Sequence, residues 1–328
     1  MKRILAWSLF LVLLAGCACL PPTAPIRVGT YNIRLSPGDR NTANAWDARK
    51  ADMVQLIRKM DLDAFGLQEV CPDQAQYLRE QLPEYAFVGD HREADRKSGE
   101  ASPVFYRKSR FTAERCGTFW LSETPEVPAS KSWKTACTRV CSYLVLTDRQ
   151  TGKRFCFANT HTDHRSELAR EKGMQLIIAR MKEFGAGAPI VFTGDHNCAE
   201  IETPAKSVMN LLDNALYLSE KPATGPWRTW NGWRWVAPEV STTEALALPI
   251  ETRNLPNNLI SGTAAAVKAG TATPAQRFYE KCSGPRIDYI YVSPGTRVLE
   301  YATHGDPRPG QKLYPSDHFP VSATLVLP

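Results

Sequence analysis

The apolar positions of this chain change period repeatedly, and each change marks an element. Ile26 to Leu35 reads as a strand, and Trp46 to Met60 as a helix with Met53, Leu56, Ile57 and Met60 on one face. Ala64 to Val70 is a short buried strand, and Pro72 to Leu82 a helix opened by proline. Tyr85 to Gly89, Pro103 to Arg107, Phe111 to Leu121 and Val140 to Thr147 have strand character. The turn Asp148 to Gly152 leads into another strand, Arg154 to Thr160, as in a hairpin. Ser166 to Phe184 is helical, with Leu168, Met174, Ile177, Ile178 and Met181 forming its apolar face. Pro189 to Thr193, Ile287 to Val292 and Val321 to Leu327 are the last strands. Hairpins mixed with helices predict a mixed α/β chain with two packed sheets. Residues 236–285 break the rhythm: rich in Ala, Thr and Pro and irregular in period, they read as a long surface insertion between two core strands.

The first residues follow a different logic. Lys2-Arg3 precedes an apolar run, Ile4 to Leu14, and then Ala15-Gly16-Cys17. A charged start, a short apolar stretch and small residues describe an export signal, too short to span a bilayer stably. Leu14-Ala15-Gly16-Cys17 also resembles a bacterial lipobox. That implies a signal peptide over 1–16, lipidation of Cys17, a spacer to residue 25 and one domain over 26–327. The expectation is a monomeric exported lipoprotein on a periplasm-facing or outer-membrane surface.

Composition changes the picture little. The formal charge is +6, and two of those charges sit in the leader. So mild a surplus permits a polyanionic partner without demanding one. Beyond Cys17 there are eight cysteines, and no paired CxxC motifs, which argues against a structural zinc site. Their disulfide pairing is not legible in the sequence. Cys198 reads as a packing residue, because no base is implied beside it.

Candidate chemistry sits at the carboxyl ends of strands, where catalytic groups are often displayed. Asn32 ends the first strand and Glu69 the second. His161 follows Asn159-Thr160; Asp195 and Asn197 follow Thr193-Gly194. Asp288 lies inside the strand Arg286 to Ile290, and Asp317-His318 precede the last strand. Singly, each is weak, since an Asp after a strand is usually a turn residue. Asp288 is harder to dismiss, because an acid within an apolar strand must find a partner.

In order, TYNIR, LQEV, NTHTDH, TGDHN with RIDYIYV, and SDHFPV resemble the endonuclease/exonuclease/phosphatase superfamily across residues 26 to 327. The resemblance implies a deoxyribonuclease-like, four-layered α/β sandwich of two packed mixed sheets flanked by helices. It implies a metal-dependent hydrolase of phosphate esters, in which water attacks phosphorus. Glu69, Asn32 and Asp317 are then the metal residues, directly or through water, for Mg²⁺ or Mn²⁺. Asp195 orients or deprotonates the attacking water, and Asn197 hydrogen-bonds the phosphate. His161 contacts the phosphoryl oxygens, His318 stabilises the transition state, and Asp288 orients His318.

The usual aromatic of the GDFN string is His196 here, a third histidine that either reaches the site or turns away. Asp163, His164 and Arg170 are expected to support the site from behind. Trp227, Trp230, Trp233 and Trp235, with Arg228 and Arg234, either form an aromatic rim or pack the insertion onto the sandwich. Nucleic acids, phospholipids and sugar or inositol phosphates all remain candidate substrates. A contrasting expectation is a non-catalytic surface lipoprotein that uses the same fold to bind; loss of a ligand or histidine would be its mark, and none is lost.

Overall fold

The computed structural model describes residues 24–328, so the signal segment, Cys17 and most of the spacer lie outside the described residues. The strands are β1 (Ile26–Asn32), β2 (Ala64–Gln68), β3 (Tyr85–Val88), β4 (Val104–Arg107), β5 (Phe111–Trp120), β6 (Val140–Asp148), β7 (Arg154–His161), β8 (Ile190–Asp195), β9 (Asp213–Asn214), β10 (Asp288–Val292), β11 (Arg297–Thr303) and β12 (Val321–Val326). The helices are α1 (Trp46–Met60), α2 (Pro72–Gln81), α3 (Glu167–Gly185), α4 (Thr203–Met209), α5 (Ala215–Leu218), α6 (Thr242–Leu246), α7 (Ile250–Arg253), α8 (Asn257–Ile260), α9 (Thr263–Lys268) and α10 (Pro274–Cys282).

Period-two alternation sends side chains to both faces of each strand. From β1, Ile26 and Val28 enter a core between the sheets, while Tyr31 packs with α1. Sheet one runs β11-β12-β1-β2-β4-β3 and sheet two β5-β6-β7-β8-β10-β9. The inter-sheet core joins Val28, Ala64 and Ala323 to Leu144, Phe157 and Ile290. Met53, Ile57 and Leu78 of α1 and α2 cover sheet one. Met174, Ile177 and Met181 of α3 cover sheet two. The layers are therefore α/β/β/α, the expected sandwich.

One polar tie crosses the apolar core. Asn159 donates to the Leu67 and Pro103 carbonyls at 2.8 and 3.0 Å and accepts from Gln68 Nε2 at 2.6 Å. Its side chain fills the space beside Gly66, where an added Cβ would meet it at 2.1 Å. Only glycine lets β2 approach β7 this closely.

The stretch 236–285 corrects the sequence reading, because it is not irregular. It holds five short helices, α6 to α10. Ser241 and Thr273 form capping boxes with Glu244 and Gln276, which settles two of the helix starts. Four- to nine-residue helices offer too few turns for a visible apolar period. Among the described residues, no helix is long and apolar enough to cross a membrane. Seven cysteines are described, and all are free thiols.

Candidate active site

The sandwich brings the ends of β1, β2, β7 and β8, the start of β10 and the approach to β12 to one edge. Antiparallel pairing sets Asp288 opposite Asp195, and parallel pairing sets His161 beside Asp195. Backbone strain helps aim these groups. Glu69, Asn197 and Arg34 have positive φ values of 62°, 47° and 58°. Such a conformation costs a non-glycine residue about 1–3 kcal/mol and persists only where the surroundings enforce it.

Asp195 is the hub. Asn32 Nδ2 donates to its Oδ2 at 2.9 Å and the Asn197 amide to its Oδ1 at 3.0 Å. His161 Nε2 and His318 Nε2 lie 3.4 and 3.7 Å from Asp195 Oδ2. Burial and the neighbouring Asp288 push the Asp195 carboxyl up to about 7, although His318 and the Asn32 bond pull it down. His318 Nδ1 lies 2.9 Å from Asp288 Oδ2. Burial works against the charged imidazole, yet Asp288 and Asp195 outweigh it and raise His318 to about 10. His161 goes the other way: burial and the Arg139 guanidinium hold it well below the ordinary histidine range. The two histidines therefore hold different charges at neutral pH, His318 cationic and His161 neutral.

Glu69 accepts from Asn32 Nδ2 at 2.9 Å and from the Leu35 amide at 3.0 Å. Asp317 lies 3.9 Å from Arg34 Nη1, and burial with repulsion from Glu69 raises its carboxyl despite His318 and Arg34. Asn32 presents its amide nitrogen to Glu69 and Asp195, and its oxygen accepts from the Arg34 amide at 3.0 Å. The fit to a divalent cation can be judged from charge. Glu69, Asp195, Asp288 and Asp317 gather around Arg34 and His318, leaving acids in excess in a buried place. A hard divalent ion with oxygen ligands would relieve that excess. One oxygen each of Asp195 and Asp288 and a nitrogen of His318 lie within 4.8 Å of one another, so this trio is also able to hold a cation. There the His318 imidazolium already bridges the two carboxylates, which makes the Glu69 and Asp317 side the more open one.

The cavity at this edge has a volume of about 520 Å³. Its floor is Glu69, Asp195, Asn197, Asp317, His161 and His318. Asn197 also donates to His161 Nε2 at 2.9 Å. Six of the eight residues singled out in the sequence line the cavity, and the other two, Asn32 and Asp288, lie behind it, bonded to Asp195 and His318. The aromatic segment divides. Trp230 lines the cavity, Trp227 is buried on Arg286, Trp233 lies against Arg49, and exposed Trp235 stacks on Tyr314. Arg228 is structural, paired with Glu239 at 2.6 Å, and Arg234 covers the Trp230 ring. The segment also positions the site. Thr229 Oγ1 accepts from the Asp288 amide at 3.0 Å, and the Asn231 amide donates to the Asp317 carbonyl at 2.7 Å.

His196 turns away from the cavity. It is buried between Phe192, Tyr289 and Tyr291, with both ring nitrogens unpartnered. Asp163 caps the turn into α3, accepting from the Arg165 and Ser166 amides, and Arg170 donates to its carbonyl. His164 reaches the cavity wall. Sequence reasoning missed Arg92, Glu100, Arg139 and Asn257, which also line it. Only Arg139 left a trace, as a charge at the head of the apolar run Val140 to Leu146. The insertion, read as surface, supplies a wall through Asn257, Ile260, Tyr279 and Pro285.

Residues 29–318 match the Endonuclease/Exonuclease/phosphatase family. The chain belongs to that family. An endonuclease/exonuclease/phosphatase protein of Bacteroides vulgatus is 28% identical, the match covering 93% of this chain and 100% of that one at a TM-score of 0.74. A mannosyl-6-phosphatase of Bacteroides thetaiotaomicron is also 28% identical, covering 92% and 100% at a TM-score of 0.71. Nocturnin of Drosophila melanogaster is 26% identical over 170 residues, 49% of this chain. The chain spans well under two thirds of the length of the curated relatives it matches, 25% in the case of nocturnin. The family unites endonucleases, exonucleases and phosphatases, all hydrolases of phosphate esters.

Proposed function

We propose that this chain is an exported, membrane-tethered phosphoric ester hydrolase that works with Mg²⁺ or Mn²⁺. The observation that carries the reading is His318, held at 2.9 Å by Asp288 and facing Asp195 at 3.7 Å beside the Glu69 and Asp317 acids. Such an arrangement offers a base, a fixed cation and a cation-seeking acid pair within one cavity. Glu69 and Asp317, with Asn32 if its amide turns over, would hold the metal. Bound there, the metal would neutralise phosphate charge and stabilise the leaving oxygen. Asp195, raised toward neutrality, takes a proton from the attacking water. Protonated His318 stabilises charge developing on the phosphoryl oxygens, and Asp288 fixes its tautomer. Asn197 and neutral His161 hold the opposite side of the phosphate.

The likeness to a mannosyl-6-phosphatase makes sugar phosphates the first substrates to try, ahead of nucleic acids and phospholipids. Purified protein incubated with each class, with Mg²⁺ or Mn²⁺ and then EDTA, tests the reading. Turnover that EDTA abolishes supports it. Turnover indifferent to EDTA, or matched by Asp195→Ala, overturns it. The tether rests on the leader alone; membrane fractionation that finds Cys17→Ser as firmly bound as the parent would remove it.

A further inference from the structure

We propose that Arg139 is an anion-binding residue of this site, placed to take the terminal oxygens of a phosphomonoester, and that the enzyme is a monoesterase. The inference deepens the phosphoesterase reading and rests on it. Its basis is a comparison among the buried arginines. Arg49, Arg110, Arg170, Arg228, Arg286 and Arg308 are buried among the described residues, and each donates to at least one oxygen. Arg139 is equally buried, at 7% exposure, yet among the described residues no oxygen lies within hydrogen-bond distance of its guanidinium. Its nearest carboxylate oxygen, Glu100 Oε2, is 3.9 Å away, and Arg92 holds the other Glu100 oxygen at 2.9 Å. The one close partner of Arg139 is an imidazole nitrogen, His164 Nδ1 at 3.3 Å, and its own Nε has none. A buried guanidinium with a single long bond to an imidazole nitrogen is poorly compensated, which is costly. This one lines the same cavity as His161, Asp195 and Glu69.

Arg92 is matched by Glu100 at 2.9 Å and by Glu93 at 3.5 Å, so the cation on this wall left without a close carboxylate is Arg139, across the cavity from the acid-rich floor. A phosphate placed between them would meet a cation-holding side and a guanidinium side. A diester carries one negative charge and a carbon arm on two oxygens. A monoester carries two charges at neutral pH and only one arm. The second charge answers Arg139, and a second arm would press into the buried Arg139 and Glu100 wall. The single arm then lies toward Trp230, Ile260 and Tyr279, where the cavity is aromatic and apolar. In the reaction, water oxygen bonds to phosphorus while the ester P–O bond breaks. The water proton passes to Asp195, the departing alcohol takes up a proton from solvent, and inorganic phosphate remains.

The test compares p-nitrophenyl phosphate with bis-p-nitrophenyl phosphate for the parent, Arg139→Met and Arg139→Lys, alongside calorimetric titration with inorganic phosphate. The parent should favour the monoester. Arg139→Met should lose roughly 100-fold in kcat/KM on the monoester and less than about 10-fold on the diester, with phosphate affinity down about 10-fold or more. Arg139→Lys, which keeps the charge, should recover part of both and guards against a folding defect in the Met variant. Equal losses on the two substrates, a diester preference in the parent, or unchanged phosphate affinity in Arg139→Met would overturn the proposal. A parent that binds phosphate through Arg139 but hydrolyses neither ester would instead bring down the phosphoesterase reading.

Discussion

The two sheets contribute unlike halves to one site. Sheet one and its loops bring Asn32, Glu69, Asp317 and His318; sheet two brings His161, Asp195, Asn197 and Asp288. On the first side Glu69 and Asp317 repel each other, a charge distribution that seeks a cation. On the second side His161 and Asn197 join Arg139, a set that seeks an anion. Two hydrogen bonds stitch the halves together, Asn32 to Asp195 at 2.9 Å and His318 to Asp288 at 2.9 Å, and His318 also faces Asp195 at 3.7 Å. The proposed cation site and the proposed phosphate chemistry thus draw on different strands, so substitutions should separate them.

The largest effect is expected at Asp195. Asp195→Asn should lower kcat by on the order of 10³-fold or more while the Mg²⁺ dissociation constant stays within about threefold. A collapse of Mg²⁺ binding in calorimetry would move Asp195 to the cation side and dissolve the division. Next comes Asp288→Asn, at about 10²-fold in kcat. His318 is raised by Asp288, so losing that charge lowers its pKa, and the alkaline limb of the rate profile should move to lower pH. An unmoved limb would detach Asp288 from His318. Glu69→Gln should weaken Mg²⁺ binding by about 10- to 100-fold, with most of kcat restored at saturating metal. If saturation restores nothing, Glu69 serves the chemical step.

The smallest expected change lies behind the site, on sheet two. His196 is pulled down to about 3 by burial, so the unfolded chain takes up its proton first as pH falls. Between pH 6.5 and about 3, acidification therefore favours unfolding through this residue. His196→Phe fills the same aromatic stack without unpartnered nitrogens and should raise stability by about 1 kcal/mol. Its advantage in urea titrations should grow from pH 7 to pH 5; a constant or shrinking difference would mean that His196 is not held neutral.

Strand ends carried most of the legible information. Helix α1 lies at Trp46–Met60 as its period predicts, and Asp288 betrayed itself as an acid in an apolar run. The short elements α4, β9, α5 and β11 escaped, because two- to seven-residue elements depend on their neighbours more than on their own pattern. Arg139 escaped for a different reason. Its meaning lies in an absent oxygen partner, and only a three-dimensional inventory of neighbours exposes that. His196 stood beside Asp195 in sequence, yet alternation along the strand end sent it to the opposite face.

The position of β12 has a consequence in time. This strand lies between β1 and β11, and Ser316 Oγ just before it donates to the Asn32 carbonyl at 2.7 Å, 284 residues away. During synthesis, β1 is made early but has no neighbour on that side until nearly everything else has left the ribosome. Contacts so distant in sequence close late and slowly. The cavity that Asp317 and His318 complete is therefore expected to close as a last event of folding.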